Sequence, residues 1–162
     1  FIAIFLGYSI GSAPIISFHY GAKNNCELKN LFKKSLSLIG SWGIMLFIIA
    51  QIISGPLAKL FVGYNAELFV KTKHGFQIFC FAFLINGFNI FGSSFFTALN
   101  NGLISAAISF LRTLVFQLSV VLILPMILGI NGIWISVAIA ELLTLCVTVT
   151  CLIRKRKVYH YI

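Results

Sequence analysis

From Thr113 to Ala140 the chain carries no charged side chain, and after Glu141 the next charge is Arg154. A helix needs about 20 apolar residues to cross the ~30 Å hydrocarbon core of a bilayer. A soluble helix of that length would keep a polar face toward water. Composition extends the same conclusion to the whole chain. Apolar residues make up 60% and charged residues 9%, against roughly a quarter charged in a soluble domain. Mean hydropathy is +1.04. Such a chain is neither disordered nor soluble, and its apolar runs are far longer than the ~10-residue strands of a membrane barrel. The fold class is an all-α polytopic membrane protein, with the lipid bilayer as its first partner.

The 162 residues divide into about five spans, at residues 1–20, 35–57, 75–99, 103–128 and 132–153, followed by a basic tail at 154–162. Gly21 and the polar stretch Lys23–Lys34 close the first span, and Gly55-Pro56 lies near the end of the second. A mixed segment, Lys59–His74, precedes the third. Asn100-Asn101-Gly102 and Gly129-Ile130-Asn131-Gly132 supply the remaining breaks. The chain opens at Phe1 inside an apolar run, with no basic n-region of a signal peptide before it. It is expected to be the C-terminal part of a longer polytopic protein.

The net charge of +9 reads as topology. Nucleic-acid binding needs Lys and Arg gathered on a solvated face, whereas here they lie between apolar runs. A cytoplasmic C-terminus places nine basic residues inside: Lys23, Lys29, Lys33, Lys34, Arg112 and Arg154–Lys157. Lys59, Lys71 and Lys73 fall on the other side. The short-loop rule for basic residues therefore favours a cytoplasmic C-terminus. The expected location, not given by this count, is the plasma membrane, as a multi-pass protein. Cys26, Cys80, Cys146 and Cys151 show no metal-ligand spacing and read as reduced packing residues. No metal is assigned, no cofactor is expected and no catalytic set appears, so an enzyme is not indicated.

Polar side chains inside a span normally face other helices or a wet cavity. In the third span Asn86, Asn89, Ser93 and Thr97 fall within an arc of about 80°, among Phe81, Phe83, Phe88, Phe91, Phe95 and Phe96. That face suits a ligand or ion cavity with aromatic walls; interhelical hydrogen bonding is the alternative. Glu141 lies nine residues after Gly132, roughly 13–14 Å down its helix and near the midplane. It is expected to be protonated, paired or hydrated. Gln117 and Ser119 come to similar depth on the antiparallel fourth span, with Arg112 about 10 Å nearer the cytoplasm. A Glu141–Gln117 hydrogen bond, a Glu141–Arg112 pair, and proton or cation coupling all remain open. Pro14, after Gly7, Gly11 and Ser12, predicts a kink or unwinding in the first span, and Pro125 a bend in the fourth. Gly7 and Gly11 have the spacing of a close helix contact.

The run Gly11-Ser12-Ala13-Pro14-Ile15-Ile16-Ser17-Phe18-His19-Tyr20-Gly21-Ala22-Lys23-Asn24 resembles the segment that closes the eighth of twelve helices in the multidrug and toxic compound extrusion (MATE) family. Leu60-Phe61, Gly87-Phe88-Asn89, Phe95-Phe96-Thr97-Ala98-Leu99, Arg112, Pro125, Gly132-Ile133-Trp134 and Ala140-Glu141 are similar to later family features, in order. The resemblance implies most of the C-terminal six-helix lobe of a twelve-helix antiporter, with the N-terminal lobe of the same polypeptide as partner. It implies export of cationic or amphipathic small molecules in exchange for Na⁺ or H⁺ by rocking of two lobes. Asn89, Arg112, Pro125 and Glu141 inherit family importance, whereas Asn86 rests on the polar stripe alone. The third span has no Asp or Glu, a departure from members that carry a coupling acid there, so the ion stays open. The alternatives are a lipid-linked sugar flippase of the same superfamily and a truncated, non-transporting membrane subunit.

Overall fold

A computed structural model describes residues 1–161. Seven α-helices make five membrane-length legs: α1 (Ile2–Gly21), α2 (Asn25–Val62), α3 (Ala66–Phe79) with α4 (Phe83–Ala98), α5 (Gly102–Phe110) with α6 (Leu118–Leu128), and α7 (Ile130–Tyr159). A 3₁₀ turn at Cys80–Ala82 joins α3 to α4. A π-helical stretch at Leu111–Gln117 joins α5 to α6.

Three of the four connections end on an Asn cap, because each reversal leaves helix N–H groups without partners. Asn24 accepts from Glu27 N, Asn65 from Glu67 N and Leu68 N, and Asn101 from Ile104 N. Before two of these caps, Lys23 and Asn100 take left-handed backbone. The fourth connection is Gly129 alone, with φ +59° and ψ −140°, a conformation in practice reserved for glycine.

The helices outrun the apolar spans. The expected second span, 35–57, is the middle of α2, whose 38 residues extend about 57 Å. The mixed segment Lys59–His74 is not a connecting loop. It is helical on both sides of a short turn at Gly63–Asn65, so its charges sit on helices α2 and α3. The tail is helical through Tyr159 as well. His160 then takes left-handed backbone, and Tyr161 turns inward, fully buried, its Oη donating to Leu152 O at 2.7 Å. Burial pushes the Tyr161 phenol above its ordinary pKa.

α4 is the central helix, packed by α1, α2, α5 and α7. The core lies at the basic end, where Phe32, Phe91, Phe95 and Phe96 gather with Tyr161. Phe32 stands 4.9 Å from Phe95 and 5.1 Å from Tyr161, ring centre to ring centre. Phe83 packs on Phe1 and Phe79. These aromatics pack on one another, while Phe88 and Phe91 also line an apolar groove. Of the cysteines only Cys80 is buried; Cys26 and Cys146 are exposed and all four are free thiols.

Pro14 lies inside continuous α1, so the helix does not unwind there, and Gly7 and Gly11 have open space around them. Pro125 likewise lies within α6. The irregular turns fall at Cys80–Ala82 and Leu111–Gln117, neither of which contains proline. Close approach occurs elsewhere, where Gly92 faces the Thr148 methyl and Gly132 faces the backbone of Leu124 and Pro125.

Candidate ion and substrate site

The buried face of α7 is a ladder of small residues, Gly132, Ser136, Ala140, Thr144 and Thr148, with Glu141 beside it. Small side chains let two helix axes come close, and this ladder delivers Glu141 into the bundle with 4% of its surface exposed. An isolated carboxylate there would be strongly disfavoured, so its partners determine its state. Arg112, on the π-helical stretch, donates to Glu141 Oε1 from Nε at 2.9 Å and from Nη2 at 2.7 Å. Asn89 Nδ2 donates to Oε2 at 2.7 Å and to the Glu141 carbonyl at 2.8 Å.

Two further bonds complete the cluster. Arg112 Nη2 donates to Asn86 Oδ1 at 2.7 Å, and Thr148 Oγ1 donates to Asn89 Oδ1 at 3.2 Å. Both oxygens of the carboxylate are engaged and both asparagine carbonyls accept. The interior charges cancel as one Arg–Glu pair. Arg112 is the more exposed side of it, its side chain 23% exposed against 5% for Glu141.

The polar stripe of α4 therefore divides. Asn86 and Asn89 turn to Arg112 and α7. Ser93 and Thr97 join α5, where Ser93 Oγ lies 2.9 Å from Ser105 Oγ and 2.9 Å from Ser109 Oγ. Thr97 Oγ1 donates to Ser105 Oγ at 2.7 Å. Gln117 is exposed and shares no hydrogen bond with Glu141. The π turn supplies the reason, since it adds a residue to the turn and rotates everything after Arg112 away from a regular helix's azimuth. Ser119 is exposed for the same reason. Of the proposed gating positions, Arg112 lies in the cluster, while Gly11, Pro14 and Pro125 stand apart from it.

Thr148 is the member sequence reasoning missed. Its signal was present, because Thr148 lies seven residues, two helical turns, after Glu141 and shares its face. Among the described residues no group of three His, Cys, Asp or Glu comes together as a metal site.

The MatE family model matches residues 1–123. The chain belongs to the MatE family. Its members are helical membrane transporters, and the five apolar legs make this chain a multi-pass membrane protein of that kind. The match contains Asn86, Asn89 and Arg112 and stops before α7, which carries Glu141 and Thr148. No curated protein and no solved structure matches the chain.

Proposed function

We propose that the chain is part of a secondary antiporter of the plasma membrane that exports cationic or amphipathic compounds in exchange for Na⁺ or H⁺, with its C-terminus in the cytoplasm. The observation that carries this reading is the buried Glu141 carboxylate, held between Arg112 and Asn89 inside the bundle. An intramembrane acid with defined partners is a functional site by default.

Coupling follows from competition. A proton or Na⁺ arriving at Glu141 displaces the Arg112 guanidinium from Oε1. Arg112 hangs from the π-helical stretch, so its release frees that leg relative to α7 and α4. Ion occupancy and helix position then bias one another, as linkage requires. Asn89, bonded to both carboxylate and Thr148, reports the same event to α4. The antiporter reading is favoured over a lipid-linked sugar flippase by the paired state of Arg112. The interior described here offers no net positive charge to an anionic carrier lipid.

The test is Glu141→Gln in the full polypeptide carrying this chain, reconstituted in vesicles with Na⁺ and pH gradients imposed separately. Gradient-driven export of a fluorescent cation should fall about tenfold or more with membrane insertion intact. Unchanged export and unchanged pH dependence would reduce Glu141 to a packing residue.

A further inference from the structure

An apolar groove of about 390 Å³ opens between α2, α4 and α7, lined by Phe32, Leu36, Phe88, Phe91, Val149 and Leu152. It is open along one side, and Val149 is 42% exposed on its wall. Its two rims continue into charge at the same end. On α2, Lys29 lies three residues before Phe32, and Lys33 three before Leu36, so both extend the groove face. On α7, Arg156 lies four residues after Leu152, extending the opposite rim in the same register. Lys29, Lys33 and Arg156 are all exposed. The ends meet in space, because Tyr161, just past Arg156, packs against Phe32. Glu27 is the acid at this end, and it accepts from Asn30 Nδ2 at 3.4 Å.

We propose that this groove binds an anionic phospholipid from the leaflet on the basic side. One acyl chain lies along Leu36, Phe88 and Val149, and the headgroup phosphate rests among Lys29, Lys33 and Arg156. Apolar wall and cationic rim match the two halves of one such molecule, and each Lys or Arg near a membrane surface adds to anionic-lipid binding. The proposal stands independently of the antiport reading, although the groove adjoins the Glu141 cluster. Thr148, a member of that cluster through its bond to Asn89, lies on the groove's inner wall.

The experiment titrates the full polypeptide carrying this chain, purified in mild detergent, with phosphatidylglycerol and phosphatidylcholine of equal chain length. Bound lipid is counted by native mass spectrometry. Phosphatidylglycerol should bind more tightly. Lys29→Gln, Lys33→Gln and Arg156→Gln should each weaken that preference about fivefold, and Val149→Trp should reduce binding of both lipids. Lys59→Gln and Lys73→Gln, at the far end, should leave it unchanged. Where a variant fails to fold, a benzophenone side chain at position 149 serves instead and should capture lipid. Preference retained in the three charge variants overturns the proposal, as does capture of a protein segment at position 149.

Discussion

Asn86 and Asn89 lie on the same stripe of α4 as Ser93 and Thr97, yet the two halves have different fates. The asparagines are buried and locked to an ion pair; the hydroxyls are partly exposed and share bonds among themselves and with α5. Helical period sets the azimuth of a side chain, but the neighbour at its depth sets what it does. At Asn89 the neighbour is a carboxylate, which makes its bond to Glu141 Oε2 charge-assisted and the loss of that bond costly. At Ser93 the neighbours are other hydroxyls, which rotate and substitute for one another.

Removing Arg112 is the harshest way to break this contrast. Arg112→Ala leaves Glu141 buried without its cation and should destabilise the protein by about 3–5 kcal/mol, measured as loss of thermal stability in detergent. Glu141→Gln together with Arg112→Ala should recover much of that loss. A double variant no more stable than Arg112→Ala alone would show that the pair is not the reason. Asn89→Leu comes next, because it removes the carboxylate's second donor and the acceptor of Thr148. It should cost about 1.5–3 kcal/mol. Gly92→Ala should cost about 1–3 kcal/mol, since a methyl there would run into the Thr148 side chain. Thr148 is β-branched and tied to Asn89, so it has little room to turn. Smallest of all, Ser93→Ala should cost about 0.6 kcal/mol, the average for one hydrogen bond between membrane helices. A loss at Ser93 as large as that at Asn89 would erase the distinction between the halves.

Most of the fold was legible because it depends on length and apolarity, which local sequence carries. The five legs, the turn at Asn100–Gly102 and the break at Gly129 all follow from it. Helix ends were less legible. Asn24 and Asn65 start helices several residues before the apolar run begins, and a cap acts through backbone geometry that hydropathy does not record. The site was legible in part. Asn86, Asn89, Arg112 and Glu141 stand out as polar groups in apolar surroundings, but their pairing depends on the π turn, and no proline or glycine within Leu111–Gln117 announces it. Gln117 makes no bond to Glu141 for that reason.

The small-residue motifs carry the same lesson. Gly7 and Gly11 match the familiar spacing and touch nothing among the described residues, while the longer ladder from Gly132 to Thr148 holds α7 in place. Spacing permits close approach; only a partner helix makes use of it. Pro14 and Pro125 both lie within continuous helix, since a helix can pass through proline where surrounding groups accommodate the lost bond.

The ladder on α7 has a geometric consequence. Steps of four residues advance about 40° around a regular helix, so Gly132 to Thr148 winds about 160° rather than running straight. At its start Gly132 abuts α6, and at its end Thr148 abuts α4. α7 is thus threaded between two neighbours like a screw, with Glu141 beside the thread, midway along its length. A slide of α7 along its own axis must also turn it, and a turn moves the Glu141 carboxylate sideways between Arg112 and Asn89.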